Sequence, residues 1–543
     1  MRLSRRALLA SGLAAGIPGS VSAGEGLPAL GGLVGLGYRA PDWFADAKFG
    51  IWAHWGPQCQ PEFGDWYGRQ LYLEGRQPWQ QGETAYENHL RRYGHPSRTG
   101  FIDIIGRWKA EHWEPEELIR RYARAGARYF FAMASHHDNF DNFASDHQQW
   151  NSTRVGPKRD ILGTWEPIVR AAGLKYGISN HSSHAWHWWQ PAYGYDAQGP
   201  MRGRRYDAYW LRKHHGKGRY WDGLDPQELY TAPYYVAPDG IATSAAMNEW
   251  HDQRDGQWIE AAPPANPRFV ANWLSRQKQM VEKYRPDLVY FDDSGLPLGQ
   301  AGVEAVRHYY DQAMQWRGKI DVVAFAKKLG PSERRVIVED VERGFVDHIR
   351  AEPWQTDTCI GSWHYDRPLY ERNGYKSAKQ VVQRLADVVS KNGNLLLSIP
   401  VRGDGTIDEK EEAIVDTIGA WNRRNGEAIF GTRPWHRYGE GPTLPPTGQM
   451  AEDQAHPFTA QDVRFTRKDG VLYAILLDWP ERETALVSLG TDALSGAAIE
   501  RVELVGGPLL AFKRDADALR VVLPSGGSGE FVPVLRISGH GLA

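Results

Sequence analysis

The feature that most restricts how this chain can fold is a series of short apolar runs, each ending on polar residues. They read FGIWAHWG (49–56), ARYFFAMA (127–134), LKYGISNH (174–181), PDLVYFDDS (286–294), RVIVED (335–340) and GNLLLSIP (393–400). Runs of this length, bounded by polar residues, fit buried strands. Between them apolar residues fall at helical spacing. One such stretch is EPEELIRRYARAG, which has Pro115 in its first turn and closes near Gly126. Strand alternating with helix predicts an α/β fold with a parallel sheet. Polar groups at the ends of several strands favour a (β/α)8-like, TIM-type barrel, whose active site lies on that face. A doubly wound sheet is the competing arrangement, and no Gly-rich nucleotide fingerprint supports it.

The barrel pattern occupies residues 24–436. Beyond it, GPTLPPTGQ reads as a linker, followed by short alternating runs such as VRFTRKDGVLYAILLDWP and FVPVLRIS. These predict a C-terminal antiparallel β-sandwich over 437–543. Residues 1–23 form a secretory signal with a basic start, an apolar stretch and a V-S-A end, and SRRALLA is of twin-arginine type. The expected location is therefore exported, periplasmic or secreted. No apolar run reaches the length of a membrane span, so stable membrane insertion is not expected.

A long insertion around 190–265 breaks the alternation. In a barrel it would lie over the active face, and loops of this length are usually functional or disordered. It carries a basic stretch with Arg202, Arg204, Arg205, Arg212 and Lys213. The whole chain has 64 basic and 66 acidic residues, which gives no reason to expect a nucleic-acid partner. Its two cysteines, Cys59 and Cys359, do not have zinc-site spacing, and whether they pair is open.

The strand-end polar residues are His54, Asp65 with Trp66, His136, His137, Asp138, His181, His184, Asp292, Asp293, Glu339, Glu342 and the segment Trp363–His364–Tyr365. Two chemistries compete for them. A metallohydrolase would gather His and Asp around a dication. A glycosidase would set two carboxylates across a sugar, with His and Trp to grip hydroxyls and stack on the ring. The 23 Trp and the lack of HxH or HExxH spacing favour the glycosidase slightly.

AKFGIWAHWG, GDWY, AGARYFFAMASHHDNF, PDLVYFDD and SWHYD, then GNLLLSIPVRGDGTID and NGEAIFGTRPW, occur in that order. Together they resemble the motifs of the α-L-fucosidases of glycoside hydrolase family 29 over roughly residues 40–436. The resemblance implies an exo-acting, retaining fucosidase without metal or cofactor, acting on terminal fucose of an oligo- or polysaccharide. It implies that Asp292 is the nucleophile, with His54, His136 and His137 binding sugar hydroxyls. Asp65 stands where the family has Glu, and Trp66 follows it. Tyr290 replaces the Trp of the family's W-x-D motif, and Arg343 matches the arginine of N-D-R-W-G.

The acid/base is less legible. Relatives carry Glu in W-E-x-C, whereas this chain has Gln355, which cannot donate a proton. Glu342 is the first candidate and Glu339 the second, with Asp357 and Glu352 as outlying carboxylates. The rival readings are a fucose-binding protein without catalysis and a metal-dependent barrel hydrolase. The basic insertion adds the expectation of an anionic or sulfated substrate.

Overall fold

The computed structural model describes residues 28–75, 82–257, 259, 261–263, 266–524 and 531–542. The expected signal, 1–23, lies outside them. Eight parallel strands close into a barrel in chain order, with β1 paired to both β2 and β8. They are β1 (Phe49–Ala53), β2 (Tyr129–Ser135), β3 (Lys175–Asn180), β4 (Leu288–Ser294), β5 (Val323–Lys327), β6 (Val338–Asp340), β7 (Trp354–Cys359) and β8 (Gly393–Ser398). Six correspond to the apolar runs. The other two, β5 and β7, lie in sequence that gives weaker strand signals. In VAFAK the alanines and lysine suit a helix as well as a strand, and WQTDTC is polar on its inward side.

Alternation along each strand sorts the side chains. Trp52, Tyr129, Phe131, Leu288, Tyr290, Val323, Phe325, Val338 and Leu396 pack together inside the barrel. The interior is tight because two strands give up a side chain. A Cβ on Gly50 would stand 2.1 Å from the Tyr129 ring, and one on Gly177 would stand 2.6 Å from the Phe131 ring. Above this apolar plug, the same inward rows continue as His54, Asp292, Lys327, Asp340 and Asp357.

Past the barrel, β9 (Arg433–Glu440), β10 (Val463–Lys468), β11 (Val471–Leu476), β13 (Ala498–Leu504) and β16 (Val534–His540) form a five-stranded sheet in the order β13-β16-β11-β10-β9. A three-stranded sheet of β12 (Glu483–Leu486), β15 (Leu519–Val522) and β14 (Phe512–Arg514) faces it across a shared apolar core. The joint with the barrel is partly ionic. Asp387, on the helix Ala378–Ser390, is buried between Lys391 (2.8 Å) and Arg464 of β10 (2.7 Å). Burial alone would raise the Asp387 carboxyl, but Lys391 and Arg464 outweigh it and bring it down to about 2.

The linker does more than connect. Gly448 pairs with Phe345, the Met450 N–H donates to the Glu342 carbonyl at 2.8 Å, and Gln449 donates to the Asp340 carbonyl at 2.9 Å. Residues 448–452 thus return to the barrel mouth before the sandwich begins.

The insertion packs against the β1–β2 connection and against the loop after β2, where Asn139 donates to the carbonyls of Glu228 and Leu229 at 2.9 and 3.1 Å. Its buried acids bond Tyr72, Tyr86 and Arg69 of that connection and tyrosines of its own. Asp207 accepts from Tyr72 (2.7 Å) and Tyr230 (2.8 Å), Asp196 accepts from Tyr86 and Tyr206 at 2.8 Å each, and Asp255 pairs with Arg69 at 2.5 Å. Part of its basic stretch is spent on this packing. Arg205 lies over the rings of Tyr195 and Tyr209 and bonds Asp239 and two carbonyls, while Arg212 bonds the carbonyls of Tyr209 and Leu211. Cys59 and Cys359 are both buried and free. Among the described residues no helix is long and apolar enough to cross a membrane.

Candidate active site

A cavity of about 840 Å³ opens at the C-terminal ends of the strands. Its lining includes His54, Asp65, Trp66, His136, His137, His181, Asp292, Lys327, Glu342 and Asp357, closed on one side by Gln449 and Met450 of the returning linker. None of the described residues of 190–265 lines it, so the five insertion cations stand away from the cavity wall. The cations that do line it are Lys327, Lys328 and Arg343.

Asp292 is the centre of the site. It projects inward near the end of β4, and its two oxygens have different surroundings. Oδ1 is bonded by the Lys327 ammonium, whereas Oδ2 faces His137 Nε2 at 3.4 Å and His181 Nδ1 at 3.3 Å. Burial pushes its carboxyl up, but Lys327 first, then His181 and His137, reverse that and hold it well below the ordinary carboxylate range. Asp292 is therefore an anion at neutral pH. Asp293 points to the other side of the strand, accepting from Ser183 at 3.0 Å and lying 3.1 Å from His184. His184 also contacts the Asp292 carbonyl at 3.2 Å and His187 at 3.2 Å, so this neighbour braces β4 from behind.

The histidines form one face of the cavity. His54 contacts Ser398 at 3.0 Å, His136 contacts Gln58 at 2.8 Å, and His137 Nδ1 donates to the His181 carbonyl at 3.0 Å. Burial is the first cause that lowers His54, His136 and His181 well below the usual imidazole range, so each is neutral. A neutral imidazole offers one donor and one acceptor, which suits hydroxyl recognition. Trp66 stands at the rim in a left-handed conformation (φ 59°), edge-on to His137 with ring centroids 5.9 Å apart. Asp65 accepts from the Trp363 and His364 backbone N–H groups at 3.2 and 2.7 Å, which fixes the SWHY turn beside the cavity.

Three sequence expectations change. Glu339 points out of the barrel, because alternation in β6 sends Asp340 inward instead. It pairs with Arg334 (2.9 Å) and Arg350 (2.7 Å) and lines a separate cavity. Tyr290 lies one layer below Asp292, fully buried, and its hydroxyl donates to Asp357 Oδ2 at 3.1 Å, so it supports the floor without reaching the cavity. Arg343 lines the cavity, but its guanidinium is bonded to Glu452 and Asp453. The cation on Asp292 is Lys327.

Glu342 does lie in the site, 2.7 Å from Lys327 Nζ. Asp357, read from sequence only as an outlying carboxylate, also lines the cavity. Burial first, then repulsion from Asp340 and Glu342, push its carboxyl well above the ordinary range. Gln355 is buried in the barrel interior, donating to Asp340 at 2.7 Å and accepting from Tyr129 at 2.9 Å, so it takes no part in the cavity. The sequence does not single out Lys327 because it does not single out β5. With VAFAK taken as a strand, alternation puts its lysine inward beside Asp292.

Comparison with known proteins gives a consistent picture. A family profile described as Alpha-L-fucosidase matches residues 36–427, and one described as Alpha-L-fucosidase C-terminal domain matches 456–538. The tissue alpha-L-fucosidase of Rattus norvegicus is 25% identical over 499 residues, covering 90% of this chain and 87% of the relative. The crystal structure of the Thermotoga maritima alpha-fucosidase superposes with a TM-score of 0.64 at 23% identity, covering 94% of this chain and 99% of that one. The same bacterial enzyme in complex with fucose superposes with a TM-score of 0.62 at 22% identity, covering 92% and 97%.

Proposed function

The chain belongs to the α-L-fucosidase family, and from that premise we propose that it is an exo-acting, retaining glycoside hydrolase that releases terminal α-L-fucose from glycans. The observation that carries this reading is the pairing of an anionic Asp292 with a second carboxylate, Glu342, through Lys327, in a cavity faced by neutral histidines. In the first step an Asp292 oxygen attacks the anomeric carbon while the glycosidic C–O bond breaks, and the leaving oxygen takes a proton from Glu342. In the second step Glu342 takes a proton from water, whose oxygen attacks the same carbon and displaces Asp292. Lys327 contacts both carboxylates, Asp292 and Glu342, and so fixes them on one side of the cavity.

A second assignment of the acid rests on Asp357, which lines the same cavity and is held protonated by its surroundings. Single Glu342→Gln and Asp357→Asn variants, assayed on an aryl α-L-fucoside with and without azide, separate the two. Azide restores turnover where the missing group is the acid/base and leaves the other variant unchanged. Asp292→Ala must abolish turnover, and an active Asp292→Ala would remove the hydrolase reading altogether. An anionic glycan remains part of the proposal for the aglycone side, supported by Lys328 on the cavity wall rather than by the insertion. Export is inferred from the N-terminal basic and apolar pattern.

A further inference from the structure

The histidine face has a property that sugar binding does not require. One ring nitrogen each of His136, His137 and His181 lies within 4.8 Å of the other two, and all three residues are buried. Asp292 Oδ2 stands 3.4 Å from His137 Nε2 and 3.3 Å from His181 Nδ1. Donors on a tetrahedral dication with bonds near 2.0–2.1 Å are separated by roughly 3.3–3.4 Å, so the two distances from Asp292 Oδ2 already match a coordination shell, and the three imidazole nitrogens lie close enough to contract onto one ion.

His137 gives its Nδ1 proton to the His181 carbonyl at 3.0 Å, so its Nε2 is the nitrogen turned toward the Asp292 carboxylate. A ring that spends one N–H on a carbonyl and presents the other nitrogen is the usual arrangement of a metal-ligating histidine. His181 is 2% exposed, and neither of its ring nitrogens makes a hydrogen bond. Lys327 engages the other oxygen of Asp292, so Oδ2 is left to the histidines.

We propose that His136, His137 and His181, with Asp292 Oδ2, form a site for a borderline transition-metal dication such as Zn²⁺ or Cu²⁺, and that this ion and the sugar exclude one another. Three imidazoles select such ions over Mg²⁺ or Ca²⁺, which take oxygen donors. The ion inhibits rather than assists, because it occupies the oxygen pair of the nucleophile and the nitrogens that grip hydroxyls. The binding follows from the geometry alone, whereas the exclusion rests on the sugar-site reading given above.

The test uses chelator-stripped, full-length protein. Calorimetry with Zn²⁺ is expected to give one ion per chain, and the electron paramagnetic resonance spectrum of bound Cu²⁺ to show coupling to more than one nitrogen. His181→Gln is expected to weaken Zn²⁺ at least tenfold with circular dichroism unchanged, and His136→Gln serves if that variant does not fold. His214→Gln/His215→Gln, which removes an adjacent histidine pair in the insertion, is expected to bind as the parent does. Saturating L-fucose is expected to weaken the ion. The proposal is overturned if no stoichiometric ion binds, if both cavity variants bind it undiminished, or if fucose leaves its affinity untouched. Hydrolysis of an aryl fucoside by the metal-free protein reads the glycosidase assignment separately.

Discussion

Lys327, the last residue of β5, bonds Oδ1 of Asp292 on the neighbouring strand β4, and its ammonium is the largest influence keeping that buried carboxyl ionised. The pair fixes both the charge and the orientation of Asp292, while its second oxygen faces the histidines.

Removing that cation should therefore damage catalysis more than folding. Lys327→Met is expected to lower kcat by about 10²–10³-fold, the usual effect of losing one preorganised electrostatic partner. Because Lys327 depresses the Asp292 carboxyl, its loss must let that carboxyl rise. The acid limb of the kcat/KM profile then moves to higher pH. Lys327→Arg, which keeps the charge, should leave that limb near its original position. An unmoved limb in Lys327→Met would show that the ammonium does not set the charge of Asp292.

Two glutamates three positions apart should respond in opposite ways. Glu342→Gln is expected to lose about 10²–10⁴-fold in turnover, in line with loss of general acid–base help, and to lose less on substrates with a good leaving group. Glu339→Gln should keep its turnover and instead lower the melting temperature, because Arg334 and Arg350 lose their shared carboxylate. Kinetics with a phenyl and a nitrophenyl fucoside, together with thermal melts, check both.

Asp207 gives a prediction for pH and stability. Burial raises its carboxyl to about 7, against the opposing bonds from Tyr72 and Tyr230. The folded protein therefore keeps a proton that the unfolded chain gives up near about pH 4. Stability from this group is complete at low pH and falls as pH rises toward 7, by at most about 1.4 kcal/mol per pH unit. Asp207→Asn carries no such proton. Its stability relative to the parent is expected to improve steadily between about pH 4 and 7, as read by urea unfolding, and a constant difference would refute the assignment.

The ionic joint between the domains should be costly to break from one side. Asp387→Ala leaves Lys391 and Arg464 buried without their carboxylate, and a loss of about 3–5 kcal/mol is expected. Denaturant unfolding followed by tryptophan fluorescence measures it, with Lys379→Ala, at a half-exposed pair with Asp478, as the mild control.

The barrel and the sandwich are readable in the sequence because most of their strands are apolar runs with clear boundaries. The family motifs lead to Asp292 and the histidines, and alternation separates Asp292 from Asp293. The unreadable parts share a cause. In β5 and β7 the inward positions carry Lys327, Gln355 and Asp357, so the strands that contribute most polar chemistry have the weakest apolar signature. Glu339 and Tyr290 fail as site residues for a geometric reason, since one lies on the outer row and the other one layer too deep. Length and charge do not say which loops the insertion docks on, or that its cations stay off the cavity wall. Tyr72, Tyr86 and Arg69 of the β1–β2 connection bond its buried acids.

The returning segment 448–452 has a consequence for how this protein can be taken apart or recombined. Its backbone clamps that of Glu342, its side chains wall the cavity, and Glu452 receives Arg343, Lys376 and Thr358. A fragment ending at the last barrel helix would keep every strand-borne group of the site yet lose the wall that holds the Glu342 loop. The border of the catalytic unit therefore lies past the linker, and a shuffled or truncated descendant would have to carry those five residues with the barrel to remain an enzyme.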